Sequence, residues 1–385
     1  MARSGMRPLY LDNAASTRIG DEVLALMTEV MRTAWGNPSA HHPQGAAARG
    51  HIETARQRML AALGDLAGDD RRGDIVWTSG CTEADALAVL GAAQVQPGAI
   101  VMSAIEHAAI STLAARLGAS REVVFVAPSA DGVLDPAAVA RVAGDAAVVS
   151  IVMVQNEIGV VQPVAAIAAA VRRVNPTCHF HVDAAQAFGK LAIDAVALGA
   201  DSIAVSAHKL HGPKGVGALW LRRGVVLEPL WVGGGQQRGL RGGTQDAPGA
   251  AGFGLAAARA IAALPEARLR WLDLARRITS VLVARGVAFT QLVPDDGRTP
   301  HILALGIAGV PAGAMRTVLA SRGVYISTGS ACGERDGHGQ PSPVLAAIGL
   351  AADTGMCRLS FGLDTTADEV EAAAATLADV ALGLR

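Results

Sequence analysis

Between residues 74 and 221 the chain alternates short, apolar, β-branched runs with helical stretches, and this rhythm restricts the fold more than any other feature of the sequence. Residues 74–78, 99–103, 122–127, 146–154, 179–183 and 201–206 read as strands. Helices are expected from Thr82, after Glu106, from Asp135-Pro136 and from Pro163. Strands that are apolar throughout are buried on both faces, so this region predicts a mainly parallel sheet covered by helices on both sides. The pattern changes after Thr244. An alanine-rich helical region runs to about Arg285, with an interruption expected near Pro265. Short strands at 301–306, 324–327 and 357–361 then alternate with helices, and Thr366 with Glu369 forms a capping box for the last one. The expectation is an α/β chain with a large domain and a smaller α+β C-terminal domain.

Composition supports an enzyme. The 385 residues are about twice the usual single-domain size. With 51% hydrophobic and 17% charged residues the chain is neither disordered nor a polyelectrolyte. Its 33 basic and 34 acidic residues leave no electrostatic footprint for direct nucleic-acid or membrane binding. The most apolar run, 146–154, is too short to span a bilayer, and the first ten residues lack the apolar core of a signal peptide. Four cysteines make no disulfide framework, which suits a reducing cytoplasm. No pair of histidines has metal-ligand spacing, and no metal site is expected.

Only three lysines occur, Lys190, Lys209 and Lys214, so lysine-dependent covalent chemistry must choose among them. Arginine cannot substitute, because its guanidinium stays protonated. Lys209 follows an apolar strand and is flanked by His208 and His211, a setting that lowers an amine's pKa and leaves it nucleophilic. Lys214, and to a lesser degree Lys190, read as surface lysines in turns. Asp183 ends a strand at the sheet edge where ligands bind, and a carboxylate there can pair with a pyridine nitrogen or simply cap the next turn. Thr78-Ser-Gly-Cys-Thr-Glu83 joins strand to helix through a glycine turn, giving either a phosphate cradle or an ordinary cap. Cys332 sits in a polar, glycine-rich loop where burial is improbable, a candidate nucleophile, whereas Cys178 lies in a β-type run and reads as core. Arg358 opens a strand, as a sheet-edge charge or a fork for a carboxylate.

Taken together, the ordered motifs resemble the cysteine desulfurases of the class V aminotransferase family, which are fold type I pyridoxal phosphate enzymes. They are Tyr10-Leu-Asp-Asn-Ala-Ala-Ser-Thr17, Gly36-Asn-Pro-Ser39, Thr78 to Glu83, Glu106-His107, Asn156-Glu-Ile-Gly159, His181-Val-Asp183-Ala-Ala-Gln186, Ser206-Ala-His-Lys209, Arg241-Gly-Gly-Thr244 and Ser327-Thr-Gly-Ser-Ala-Cys332. The resemblance implies a seven-stranded, mainly parallel sheet in a large cofactor-binding domain, residues 16–260. Residues 1–15 with 261–385 would form the small domain, which carries the cysteine loop, 327–341. Lys209 would hold pyridoxal 5'-phosphate covalently, Asp183 pair with its ring nitrogen and Gln186 bond its ring oxygen. His107 would stack on the ring and move protons. Thr82, the Cys81 backbone, Ser206 and His208 would hold the phosphate, with Thr244 reaching the neighbouring subunit's phosphate in a homodimer. Asn156 would contact cofactor and substrate; Arg358, with Asn156 and Asn37, would hold the carboxylate of L-cysteine. Cys332 would take the sulfur as a persulfide and pass it to an acceptor protein.

The chain departs from the common pattern at Cys81 and Ala207, which replace alanine and glycine, and its cysteine loop is about two residues longer than in the iron–sulfur-assembly enzymes. Iron–sulfur assembly, tRNA thiolation and DNA phosphorothioation are the acceptor pathways the branch serves. The competing readings are an aminotransferase or lyase of the same fold, a selenocysteine lyase, and a sulfur-relay scaffold without catalysis. Retention of Lys209, Asp183 and His107 argues against the scaffold.

Overall fold

The computed structural model describes residues 8–65, 72–329, 342–351 and 353–384. A short strand β1 (Leu9–Tyr10) leads into helices α1 (Asp21–Thr33) and α2 (Pro43–Ala62). The central part runs β2 (Gly73–Thr78), α3 (Cys81–Val95), β3 (Ala99–Ser103), α4 (Ala108–Ser111), α5 (Leu113–Leu117), β4 (Val123–Val126), α6 (Pro136–Val142), β5 (Ala146–Val152), α7 (Val164–Val174), β6 (His179–Asp183), β7 (Ser202–Ser206) and β8 (Gly217–Arg222). The long helix α8 (Ala247–Ala284) follows, then β9 (Thr290–Gln291), β10 (Ile302–Ala308), α9 (Ala312–Ser321), β11 (Val324–Tyr325), α10 (Pro343–Ala347), β12 (Thr354–Ser360) and α11 (Ala367–Gly383).

Strands β2 to β8 form one seven-stranded sheet in the order β2-β8-β7-β6-β5-β3-β4. Only β8 runs against its neighbours β2 and β7; β7, β6, β5, β3 and β4 pair in parallel. Every residue of β3, β5, β6 and β7 is buried, as parallel strands covered on both faces require, and in β6 this includes the polar His179, His181 and Asp183. The antiparallel β8 is an element that the alternation of strand and helix did not mark. Gly217 at its start is needed there, since a Cβ would lie 2.6 Å from the Cα of Gly80 in the β2–α3 turn.

The core follows this division. Apolar side chains from Val23 to Ala260 pack on the two faces of the large sheet. Leu11 packs instead with residues between Ala267 and Ala381. There β12, β10 and β9 make an antiparallel sheet, and β1 pairs in parallel with β11. The expected break near Pro265 does not occur, and α8 passes through it. Pro265 is exposed, so water can satisfy the carbonyl that its missing N–H leaves free. By length and composition α8 could cross a membrane, but 56% of its most apolar window is buried in this fold, where it packs on α1, α2 and α11. The capping box of α11 is formed, with Thr366 Oγ1 accepting from the Glu369 N–H and Glu369 Oε2 accepting from the Thr366 N–H.

Candidate active site

The C-terminal ends of the parallel strands open onto a cavity of about 450 Å³, the position where open α/β sheets bind ligands. Its walls come from widely separated places in the sequence, including Ala14, Ala15 and Ser16. Ser79, Gly80, Cys81 and Thr82 lie at the N-terminus of α3, and His107 follows β3. Asp183 and Gln186 leave β6, while Ser206, His208 and Lys209 leave β7. Asn156, Lys214 and Arg358 complete the lining.

Lys209 ends a single 3-10 turn that continues directly from β7. Its Nζ donates to the carbonyls of Ala14 (2.7 Å) and Ala15 (3.0 Å), so the N-terminal motif serves as the seat of the amine. Burial, with the nearby Arg358 charge adding to it, pushes this amine down to about 8. The turn is held from behind. Thr17 donates through its N–H and its hydroxyl to the His208 carbonyl (2.9 Å each), and His211, at a positive φ of 62°, donates its N–H to Thr17 Oγ1. Lys190, read from sequence as a surface lysine, is instead buried, and its Nζ donates to the Lys209 carbonyl (2.6 Å). The preceding Gly189 has no room for a side chain, since a Cβ there would lie 2.9 Å from the Ala260 Cβ of α8. Lys214 is exposed at the cavity rim.

Asp183 is buried and lines the cavity, with Oδ1 accepting from the Ala185 N–H (2.8 Å), so the turn-capping contact and a cavity-lining position coexist. Gln186 donates to the Ala14 carbonyl (2.7 Å), and its Oε1 meets His301 Nε2 (3.3 Å). His107 caps α4, its Nδ1 accepting from the Ala109 N–H (3.1 Å); burial keeps the imidazole below its ordinary pKa, partly offset by Asp183. His208 is pushed down to about 4 by burial and by Lys209, Lys214 and Lys190. It is a neutral hydrogen-bonding group at physiological pH.

Arg358 is the most enclosed cation of the site, 2% exposed. Its Nη1 donates to the Asn156 carbonyl and its Nη2 to Asp12 Oδ1, both at 2.7 Å, while Nε is buried with no partner among the described residues. Arg358 also pairs through its backbone with Ser327, so this guanidinium and the start of the 327–341 loop share one strand edge. The role of Asp12 escaped the sequence reading, although the residue lies inside the first motif.

Two expected residues do not line this cavity, and a third lies outside the described residues. Asn37 is exposed and its Oδ1 accepts from the Ser39 N–H (2.9 Å). Thr244 is exposed on the loop whose Arg241 pairs with Glu83 (2.9 Å). Cys332, with most of the 327–341 loop, lies outside the described residues. Cys178 is core, with burial raising its thiol to about 12.

The residues present suit pyridoxal phosphate. A low-pKa lysine, a buried carboxylate across from it, an imidazole, and a helix N-terminus with the hydroxyls of Ser79, Thr82 and Ser206 surround one cavity. The fold and this lysine-centred cavity define a fold type I aminotransferase-like enzyme. The aminotransferase class-V model matches residues 9–373. A cysteine desulfurase of Gluconacetobacter diazotrophicus is 36% identical over 374 residues, covering 95% of this chain and 91% of that one. A NifS-like protein of solved structure superposes with a TM-score of 0.88 at 31% identity, covering 97% of this chain and 99% of the other. DndA from Streptomyces lividans superposes with a TM-score of 0.72 at 33% identity, covering 91% and 99%. The chain belongs to the class V aminotransferase family, among its cysteine desulfurases.

Proposed function

We propose that the chain converts L-cysteine to L-alanine on pyridoxal 5'-phosphate and passes the sulfur, as a persulfide on Cys332, to an acceptor protein. The observation that carries this reading is the convergence of Lys209, Asp183, His107 and Arg358 on one cavity. Bound there, the cofactor supplies an electron sink for the pair left when the substrate α-proton departs. Lys209 would hold it covalently; Asp183 would face the ring nitrogen and Gln186 the ring oxygen. Thr82, the Cys81 backbone, Ser206 and His208 would hold the phosphate. His107, its imidazole held below its ordinary pKa by burial, would accept and return the proton. Arg358 would offer its free Nε–H and remaining N–H groups to the substrate carboxylate, with Asp12 keeping the guanidinium in register and Asn156 beside it. The Cys332 thiolate would attack the substrate sulfur: the carbon–sulfur bond breaks, a sulfur–sulfur bond forms, and alanine leaves after protonation. No external oxidant is needed.

Residues 16–260 would be the cofactor domain and 1–15 with 261–385 the small one, a division supported by the separate apolar clusters. Exposure of Trp231 (55%) and Val232 (87%) on the same loop region as Thr244 supports a homodimer, in which Thr244, and Asn37 from its exposed turn, complete a neighbouring site. Four cysteines without a disulfide framework support a cytoplasmic enzyme, and the charge balance supports one without direct nucleic-acid contact. Its acceptor would come from iron–sulfur assembly, tRNA thiolation or DNA phosphorothioation, which labelled-sulfur transfer to each candidate distinguishes.

Arg358→Ala tests the substrate assignment. Losing a bidentate charge-assisted contact of roughly 1.5–3 kcal/mol should raise the KM for cysteine about ten- to a hundredfold while cofactor absorbance persists. An unchanged KM would place the carboxylate elsewhere. A second expectation concerns cofactor capture. Only the neutral amine attacks an aldehyde, so capture by the cofactor-free protein should accelerate as pH rises, with a midpoint near 8 where Lys209 loses its proton. Stopped-flow absorbance checks this; a midpoint near 10 would show an ordinary exposed lysine.

A further inference from the structure

Beneath Asp183 lies a polar chain that the proposed chemistry does not use. Asp85 of α3 is fully buried, and its Oδ1 meets His181 Nε2 (3.1 Å). His181 Nδ1 meets Ser202 Oγ (2.8 Å), which also meets His179 Nε2 (2.8 Å). His179, His181 and Asp183 alternate along β6 and therefore share one face. Cys81 closes the gap to the cavity: its Sγ is 3.6 Å from Asp183 Oδ1 and 3.9 Å from Asp85 Oδ1.

Hydrogen-bond bookkeeping gives the chain a direction. His181 has Ser202 on one ring nitrogen and Asp85 on the other, and burial holds it down to about 3, so it is neutral. Asp85 is pushed well above the carboxylate range by burial, then by Asp183 and Glu106. Glu106, its Oε1 accepting from the Val152 N–H and its Oε2 unpartnered, is raised in the same way. Asp85 is thus a neutral acid that can donate to His181 Nε2, His181 to Ser202, and Ser202 to His179. The Cys81 thiol is raised by burial and by both aspartates, so it keeps its proton, and Asp183, at 3.6 Å against 3.9 Å for Asp85, is its nearer acceptor. Protonated thiol and acid also make this trio poor metal ligands, although their ligand atoms lie within 4.8 Å of one another.

We propose that Cys81, seated between Asp183 and the Asp85–His181–Ser202–His179 chain, is a positioning residue that donates its S–H to Asp183 and so moderates the grip of this carboxylate on the cofactor's ring nitrogen. The inference rests on the cofactor reading above. Titratable and charged groups facing Asp183 are Cys81 and Asp85 from α3, Glu106 and His107 from the segment after β3, and Lys209 from the turn after β7. Among these, Cys81 is the one in hydrogen-bond contact with its carboxylate.

The test follows the visible absorbance of the purified, pyridoxal phosphate-loaded protein from pH 5 to 10, without substrate. Removing the donor in Cys81→Ala leaves Asp183 a stronger partner for the ring N–H. That keeps the ring cationic and should move the absorbance midpoint to lower pH by about half a unit, the value of one weak hydrogen bond. Cys81→Ser, which restores a donor, should return the midpoint to the wild-type value or above it. Asp85→Asn should shift the midpoint in the wild-type background and less in Cys81→Ala, because its influence passes through the thiol. A wild-type midpoint in Cys81→Ala, or equal Asp85→Asn shifts in both backgrounds, would overturn the inference and leave the cofactor reading standing. A wild-type protein with no visible band would overturn both.

Discussion

Lys209→Ala is expected to yield a folded, colourless protein with no measurable alanine production from cysteine. The amine seated on the Ala14 and Ala15 carbonyls is the proposed covalent anchor, and neither other lysine is placed to replace it. Lys190 is spent on the Lys209 carbonyl, and Lys214 sits exposed at the rim. Loss of a residue that acts in concert with others typically lowers turnover on the order of 10⁴-fold or more. Borohydride reduction of the wild type followed by peptide mapping should place the cofactor on Lys209. A label on Lys190 or Lys214 would break the site assignment.

Cys332→Ser should have an equally large effect of a different kind. The variant should stay yellow and bind cysteine, since the cavity groups proposed to hold cofactor and carboxylate are untouched. It should nevertheless lose sulfur transfer on the order of 10³-fold or more, because a hydroxyl cannot accept the sulfur. Sulfide release at the wild-type rate would favour a lyase of the same fold, in which the substrate thiol leaves unaided.

Much of the site was legible because its chemistry sits where strands end. Asp183 and Lys209 close buried strands, Thr82 lies in the first turn of a helix, and each position could be reached from the apolar rhythm plus one turn. What stayed hidden depends on contacts between distant segments. The Asp12–Arg358 pair joins residues 346 positions apart, and no local pattern announces it. Lys190 follows a glycine in a turn and reads as surface until α8 and the Lys209 turn close over it. Asp85 lies on a helix that looks simply alanine-rich, and the partner that gives it meaning, His181, is 96 residues away. Pro265 misled for the opposite reason. A proline breaks a helix on average, but an exposed one in a helix anchored at both ends by packing need not. The antiparallel β8 was missed because its pairing depends on β2 and β7 flanking it, which a strand–helix alternation does not encode.

Sulfur is expected to move from cysteine to Cys332, and one turnover of the cofactor-loaded protein with ³⁵S-labelled L-cysteine, quenched with an alkylating agent and mapped by mass, tests this directly. One alanine should form for each labelled persulfide, with the label on the peptide containing Cys332 and absent from Cys81, Cys178 and Cys357. Alanine accompanied by free sulfide and an unlabelled Cys332, or pyruvate in place of alanine, would contradict it.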